Sequence, residues 1–310
     1  MARKQETEDL LPMSQSPDVS RPLWLVLAPA IFLGLWSGGY AMAKIGLLYA
    51  PPMALLALRF GSVVVIMAVL FLVLRPPLPK TSADWMHLVI VGVLIQTVYF
   101  GMSYLAFVRG VSAGVAALIM SLQPILVALI APVWAGERVG WRRWAGLMVA
   151  LLGTVMVILS RLEIGPPPLL GFALAAIALL GITLGSLWEK RFGLDHHPVT
   201  ANLIGYAAGL LALLPFVAAE GWPAIIWHPE FLMALAYLVI GNSVIALGLL
   251  LAMIRAGEVA RVSSLLFLVP PLAAAIAWFL LGEEMPPVAW LGLLIAGGGV
   301  YLATRSRAGP

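Results

Sequence analysis

The chain has 310 residues, of which 62% are hydrophobic and only 10% are charged, and its mean hydropathy is +1.03. Soluble domains carry about 45–50% apolar and about 25% charged residues, so this composition excludes a water-soluble fold. The absence of cysteine excludes disulfides, thiolate chemistry and iron–sulfur clusters. The net charge of +4 is the excess expected of cytoplasmic loops in a membrane protein and does not indicate nucleic-acid binding.

Apolar runs recur along the chain and decide the predicted fold. Residues 1–22 mix charges with prolines and are predicted to form a disordered cytoplasmic tail, not a cleaved signal peptide. Beyond them, runs of about 20 apolar residues are long enough to cross a bilayer. We therefore predict an all-α polytopic membrane protein with ten transmembrane helices and a second cytoplasmic tail at 305–310. The predicted spans are 23–43, 53–74, 85–108, 112–134, 142–160, 168–188, 199–219, 230–253, 259–281 and 287–304.

The distribution of lysine and arginine predicts the orientation of these spans. If the N-terminus is cytoplasmic, the inside segments contain 14 of the 18 basic residues, and Arg59 lies within the second span. The outside segments contain only Lys44, Arg109 and Arg161. Because cytoplasmic loops are enriched in Lys and Arg, both termini are predicted to be cytoplasmic.

The two halves of the chain align with each other. A shift of 146 residues aligns them without a gap over more than fifty residues, and further upstream the shift is 147. Matches of Pro, Gly, Trp, Arg and Glu at a constant offset indicate a duplication, whereas matches of Leu and Ala do not. The aligned pairs include Arg109 with Arg255, Pro124 with Pro270, Gly136-Glu137 with Gly282-Glu283, Trp144 with Trp290, and Gly153 with Gly299.

Each copy contains five spans, so the second copy is predicted to be inverted in the membrane. The first repeat is assigned to residues 23–165 and the second to 166–304. The loop after span four reads GERVGWRRW, whereas its counterpart after span nine reads GEEMPPVAW and has no basic residue. This difference in charge is expected if the two loops lie on opposite sides of the membrane.

Two segments carry a resemblance to a known family. They read QPILVALIAPVWAGE at 123–137 and VPPLAAAIAWFLLGEE at 269–284. The chain resembles, over about residues 23–304, the EamA-type exporters of the drug/metabolite transporter superfamily, and within it the bacterial amino-acid and metabolite exporters of the YddG type. The resemblance implies ten helices in two inverted repeats, a location in the inner membrane of a bacterium, and secondary export of small metabolites.

The prolines in these segments are candidate hinges. Pro124 and Pro270 lie about midway along spans four and nine, with Pro271 next to the latter. A proline inside a helix frees a carbonyl and allows a kink, and matched interrupted helices in inverted repeats point to a substrate site. The alternative is that they only shape packing. Two glycine pairs, predicted to allow close helix packing with a gate as the alternative, are Gly34 and Gly38 in span one and Gly181 and Gly185 in span six.

Polar residues within the spans are candidates for the substrate site. Gln96 and Asn242 are repeat partners near the middle of spans three and eight, where two amides could bind a zwitterion or a hydroxyl group. The alternative is an interhelical hydrogen bond, worth about 0.6 kcal/mol. Helical spacing places Tyr99, Phe100 and Ser103 on the face of Gln96. The residues predicted to complete an aromatic cavity are Trp36 and Tyr40 in span one, Trp188 in span six, Ser243 in span eight and Phe267 in span nine.

The acidic residues argue against chemistry in the membrane. No aspartate lies inside a span, and Glu189 is the glutamate nearest to a membrane interior, so no catalytic pair is predicted. No metal or other cofactor is predicted, because Asp195, His196 and His197 have no further ligands nearby. The absence of a midplane carboxylate also disfavours proton coupling and favours uniport-like export by alternating access.

Several readings of function remain open at this stage. Arg59 lies about eight residues into span two, from which its side chain could extend outward, so uncharged or zwitterionic solutes are favoured over phosphate esters. The expected partners are such a small-molecule substrate and the lipid bilayer, and a monomer suffices. The alternatives are a proton-coupled drug/metabolite antiporter and a membrane-embedded enzyme acting on lipid-linked substrates, which would need Asp, His or Arg clustered at one interface.

Overall fold

The computed structural model describes residues 23–123, 125–127, 129–130, 140–160, 168–192, 196–221, 225–255 and 268–305, and these ranges contain helices and no strand. They form ten helical spans. The spans are α1 (Leu23–Gly46), α2 (Pro52–Leu74), α3 (Ser82–Val108), α4 (Ala113–Met120, with further helical residues up to 130), α5 (Trp141–Ser160), α6 (Leu169–Phe192), α7 (Pro198–Ala219), α8 (229–255), α9 (Val269–Leu281) and α10 (Pro287–Arg305).

These helices confirm the predicted all-α membrane architecture. Among the described residues, five helices are long and apolar enough to cross a membrane, namely α2, α3, α6, α7 and α8. Large apolar side chains such as Leu72, Val73 and Phe279 are exposed on the outside of the bundle, where lipid would cover them. The helix bounds agree with the predicted spans to within a few residues, except that the first half of the span at 259–281 lies largely outside the described residues.

Local sequence signals set the ends of the helices. Pro52 and Pro198 occupy the first turns of α2 and α7, where the missing N–H group would have no helical partner. Thr81 and Asp84 form a reciprocal capping box at the start of α3. Gly282 ends α9 in the left-handed conformation, with φ of 62°, which glycine adopts without steric cost. The GEE motif that begins with Gly282 is therefore a helix end, as predicted.

The packing of α5 against α10 shows the inversion of the repeats. Gly146 of α5 approaches Gly299 of α10, and Gly153 approaches Gly292. The contacts move from residue 146 to residue 153 along α5, while the residues contacted on α10 move from 299 back to 292. The two helices are therefore antiparallel. An added Cβ on Gly153 would lie 2.3 Å from the backbone nitrogen of Ala296, so the contact requires glycine. Two repeat partners that run in opposite directions are what an inverted duplication produces.

The other interhelical contacts follow the same two-fold pattern. Helices α2 and α7, α4 and α9, and α5 and α10 each pack against their own repeat partner. Helix α1 packs against α8, and its counterpart α6 packs against α3. Thus α1 and α6 each lie against the other repeat, and the two bundles are interlocked. A cavity next to α1 is therefore lined by residues from both repeats.

The predicted glycine pairs lie at these interlocking contacts with one exception. An added Cβ on Gly38 would lie 2.2 Å from the Tyr237 hydroxyl oxygen of α8. Cβ atoms on Gly181 and Gly185 would meet side chains of α3 at 2.9 Å. Gly34 has open space where its Cβ would be, but its carbonyl accepts a hydrogen bond from Tyr237 at 3.2 Å. Three of the four positions therefore permit close helix packing, and their role as a gate stays a prediction.

Carboxylates bind helix N-termini at one end of the bundle. Glu283 accepts hydrogen bonds at 3.1 and 3.2 Å from the backbone N–H of Ala113, the first residue of α4, and forms an ion pair of 2.5 Å with Lys44 at the end of α1. A negative charge at a helix N-terminus is favourable because the first N–H groups are unpaired there. Glu220 binds α2 in the same way, through the N–H groups of Met53 and Ala54.

Candidate functional site

A cavity lies between α1, α2 and α3 of the first repeat and α8 of the second. Its walls are mostly aromatic, with a few polar groups. In this conformation its volume is about 40 Å³, which is room for about three water molecules. A larger solute therefore requires the surrounding helices to move apart. The lining residues are Trp36, Gly39, Tyr40, Ala43, Arg59, Tyr99, Phe100, Ser103, Tyr104, Phe107 and Asn242.

Most of the residues predicted to bind substrate are brought together here. The predicted aromatic side chains of Trp36 and Tyr40 in α1 and of Tyr99 and Phe100 in α3 line the cavity. The polar side chains of Ser103 and Asn242 line the same cavity. The Ser103 hydroxyl is buried and has no hydrogen-bond partner among the described residues. The predicted residues that line the cavity are Trp36, Tyr40, Tyr99, Phe100, Ser103 and Asn242.

Two π-helical segments form the backbone of the cavity wall. One runs from Val93 to Phe100 in α3, and the other from Tyr237 to Ala246 in α8. They occupy corresponding positions in the two repeats and are flanked on both sides by regular α-helix. π-Helical turns are rare and occur frequently at functional sites. We found no signal for them in the sequence, because their residues have the apolar pattern of the helices around them.

Gln96 is separated from the cavity residues by this local geometry. It is buried, but it packs against Gly209 of α7, and it does not line the cavity. The prediction assumed α-helical spacing from residue 96 to 103. A π-helical turn contains more residues than an α-helical turn, so the face assigned from α-helical spacing rotates along the segment. Of the two symmetric amides, only Asn242 reaches the cavity wall.

The remaining predicted binding residues do not line the cavity or lie outside the described residues. Trp188 is near the end of α6, where its Nε1 donates a hydrogen bond of 3.3 Å to His87 Nδ1 and its ring contacts Phe192. Ser243 is buried behind the cavity wall, and its hydroxyl accepts hydrogen bonds from Arg59. Phe267 lies outside the described residues.

The candidate hinges are only partly visible. Pro124 lies outside the described residues, but the regular part of α4 ends at Met120, four residues before it. Since proline has no N–H group, it cannot donate the helical hydrogen bond to that residue. Pro270 and Pro271 occupy the first turn of the described part of α9, a position that tolerates proline. An interruption of α4 after Met120 is compatible with a hinge, which stays a prediction.

The sequence analysis did not recognise Arg59 as a cavity residue. Its side chain does not extend outward, and only 2% of it is exposed. Its Nη2 donates to Asn242 Oδ1 at 2.8 Å, and both Nη2 and Nε donate to Ser243 Oγ at 3.0 and 3.1 Å. Its Nη1 donates to the Tyr104 hydroxyl at 3.2 Å. The guanidinium also lies 4.4 Å from the centre of the Phe100 ring, within range of a cation–π interaction.

The signal that could have identified Arg59 was its position as a single basic residue within an apolar span. It is the one basic residue that the topology prediction leaves inside a span, and ionisable residues within membrane helices are functional candidates by default. The described residues that line the cavity include no acidic side chain. Within the described ranges, no three His, Cys, Asp or Glu residues lie close enough to hold a metal ion. The site thus offers a cation, hydroxyl groups, an amide and aromatic rings.

Comparison with known proteins agrees with this architecture. The sequence model of the EamA-like transporter family matches residues 21–159 and 169–305. A solved structure described as a crystal structure of a protein shares the fold with a TM-score of 0.62, at 20% sequence identity, and the match covers 92% of this chain and 98% of that one.

Three relatives illustrate the range of similar proteins. A probable amino-acid metabolite efflux pump of Escherichia coli is 26% identical, with 86% of this chain and 90% of that protein covered. The uncharacterized inner membrane transporter YedA of E. coli is also 26% identical, with 88% of each covered. An S-adenosylmethionine/S-adenosylhomocysteine transporter of Chlamydia trachomatis is 27% identical, with 89% of this chain and 86% of that protein covered. With both halves matched by the family model, the chain belongs to the EamA-like transporter family.

Proposed function

We propose that the protein exports small metabolites, among them neutral and aromatic amino acids, across a bacterial inner membrane by alternating access. The observation that carries this proposal is the aromatic and polar cavity between the two repeats. Ligand sites of this kind, with apolar walls and a few placed polar groups, suit amphipathic solutes. The name of the E. coli relative, a probable amino-acid metabolite efflux pump, supports the same substrate class.

We further propose that export is uniport-like and driven by the gradient of the solute. Proton relays in membranes use Asp, Glu or His within the spans, and none of these is among the described residues that line the cavity. The same observation disfavours an enzyme that acts on lipid-linked substrates, since acid–base catalysis would need such groups near the substrate.

Efflux from proteoliposomes tests both parts of this proposal. Vesicles loaded with radiolabelled phenylalanine, tryptophan or leucine are expected to release them at the same rate with and without a pH gradient. Strict dependence on the gradient would reject the uniport and favour the proton-coupled alternative. Release no faster than from protein-free vesicles, for every amino acid tried, would reject amino-acid export.

A pair of tryptophan variants makes this experiment specific to the cavity. Trp36 lines the cavity, whereas Trp85 is 41% exposed and donates its Nε1–H to the Pro79 carbonyl. Loss of one aromatic contact costs about 0.5–1.5 kcal/mol, so Trp36→Ala is expected to slow phenylalanine efflux roughly two- to tenfold. Trp85→Ala should leave it unchanged.

The orientation in the membrane is proposed to be the one predicted from the basic residues, with both termini in the cytoplasm. Because the chain contains no cysteine, single cysteines can be introduced without removing any. Gly140, before α5, and Glu284, after α9, are both exposed. In intact cells or right-side-out vesicles, an impermeant maleimide is expected to label Glu284→Cys and not Gly140→Cys. Labelling of both from the same side would reject the inverted arrangement, and the reverse pattern would reject cytoplasmic termini.

A further inference from the structure

Arg59 lies deep within a membrane-spanning helix. It is the eighth residue of α2, which at 1.5 Å per residue places it about 10 Å from the start of the helix. A long side chain at that depth can reach the interface if it extends along the helix. The protein instead holds the guanidinium inside, between α2, α3 and α8. Holding a charge there costs several kcal/mol unless it is compensated, so this placement requires an explanation.

The hydrogen bonds of Arg59 occupy most of its N–H donors but do not neutralise its charge. All of its hydrogen-bond acceptors are neutral, namely an amide oxygen and two hydroxyl groups. Four hydrogen bonds are formed with described residues, whereas a guanidinium has five N–H donors, so one N–H of Nη1 has no acceptor in the part of the chain that the structure describes. The site therefore has a positive charge and a donor to spare.

No described carboxylate neutralises this charge. Among the residues that the structure describes, Arg59 forms no ion pair, while Glu283 pairs with Lys44 and Glu220 binds the start of α2. The guanidinium keeps its positive charge inside proteins. A cavity lined by a buried cation that no described carboxylate neutralises is electrostatically a site for an anion.

The surroundings indicate which kind of anion fits. Among the described residues that line the cavity Arg59 is the one cation, so a single negative charge balances it, whereas a phosphate monoester would bring almost two. The positions of α7 that lie 146 and 147 residues after Arg59 are Gly205 and Tyr206, which supply no second cation. The unpartnered Ser103 hydroxyl faces the same cavity and can donate to a second oxygen.

From this balance of charge we infer that Arg59 binds the carboxylate of the transported solute, so that the cavity is a site for organic monocarboxylates, with or without an amino group. The carboxylate accepts the free Nη1–H of Arg59 and the hydroxyl proton of Ser103. The aromatic walls contact the apolar part of the solute. This inference rests on the proposed transport function and defines the group by which a solute is recognised.

A pair of probes that differ only in the acid group tests this assignment. The pair is 3-phenylpropionate and its uncharged amide, 3-phenylpropionamide, added to the purified protein in detergent while thermal unfolding is followed. The acid is expected to raise the unfolding temperature and the amide is not. In Arg59→Met the difference between acid and amide should disappear, because the apolar side chain removes the charge.

Two further variants keep the experiment interpretable. Arg59→Lys retains the charge without the planar fork and should retain a reduced preference for the acid. Arg142→Met removes an exposed arginine at the start of α5 and should behave as the parent protein. If Arg59→Met does not fold, the test is the comparison of the parent protein with Arg59→Lys. The preference for the acid over the amide should then be smaller in Arg59→Lys than in the parent.

Three results would overturn the assignment, namely equal stabilisation by acid and amide, stabilisation by neither, or an acid preference that survives in Arg59→Met. Because this readout is binding, it is separate from the efflux assay. If the protein exports amino acids but shows no preference for the acid over the amide, the role of Arg59 is rejected and the proposed transport function stands. If the protein prefers the acid but exports no amino acid, amino-acid export is rejected and the carboxylate site stands.

Discussion

Replacing Asn242 with aspartate is expected to stabilise the protein and to slow transport strongly. The Asn242 Oδ1 atom already lies 2.8 Å from Arg59 Nη2, so the aspartate would place a fixed carboxylate against the guanidinium. The existing bond already involves one charged group, so the gain comes from the added attraction between two opposite charges in a buried site. The burial of the new charge and the loss of the Asn242 Nδ2 hydrogen bond to the Leu35 carbonyl at 3.4 Å offset part of this gain. We expect a net gain of about 1 kcal/mol, seen as a higher unfolding temperature.

Transport should fall because the tethered carboxylate neutralises the charge that attracts the solute carboxylate. We expect efflux of phenylalanine to fall at least about tenfold, the equivalent of 1.4 kcal/mol. The control is Asn202→Asp on α7, where the asparagine Nδ2 donates to the Pro198 carbonyl away from the cavity. It should transport normally. Normal efflux by Asn242→Asp would contradict the assignment of Arg59.

Combining this variant with Arg59→Met gives an internal check on the charge. The double variant would bury an aspartate without its cation. Removing one partner of a buried ion pair typically costs about 3–5 kcal/mol. We therefore expect the double variant to unfold at a much lower temperature than either single variant. A double variant as stable as Asn242→Asp alone would show that the two side chains do not interact as described.

Replacing Gly299 with valine is expected to separate the two repeats where α5 meets α10. A Cβ at Gly299 would lie 2.2 Å from the backbone nitrogen of Ala150 and 2.7 Å from the carbonyl oxygen of Gly146. Backbone atoms cannot move aside as a side chain can. We expect a loss of about 1–3 kcal/mol in the free energy of unfolding, measured by thermal or denaturant unfolding in detergent.

The neighbouring residue supplies the control for this variant. Gly298 is in the same helix and has nothing within 4 Å of an added Cβ, so Gly298→Val tests the change in helix propensity alone. It should leave stability within about 1 kcal/mol of the parent, since glycine is itself a poor helix former. Equal losses for both variants would contradict the close antiparallel contact that defines the inverted repeat.

Much of the architecture could be predicted from the chain alone. Apolar length predicts the spans, and residues such as Pro52, Pro198 and Gly282 end or begin helices where local chemistry requires it. The constant offset between the halves, with Gly153 matched to Gly299, predicted a duplication, and the antiparallel contact of α5 with α10 agrees with its inversion. These features depend on residues close together in sequence, on the composition of whole segments, or on the repetition of one pattern in both halves of the chain.

The cavity depended on information that local patterns do not carry. Helical spacing selected Tyr99, Phe100 and Ser103, which line the cavity, but it also selected Gln96, which the π-helical turns direct towards α7. Whether a segment widens into π-helix depends on how neighbouring helices pack against it, and the sequence of the segment does not reveal this.

Arg59 shows most clearly which features the sequence predicts and which depend on the tertiary structure. Its position within an apolar span was evident from the chain, together with two directions in which its side chain could point. The choice between them depends on Asn242 and Ser243, which are 183 and 184 residues away and meet Arg59 only when the second repeat folds against the first. Hydrophobic length is a property of each helix, whereas the direction of a buried charge is set by the acceptors that other helices bring to it.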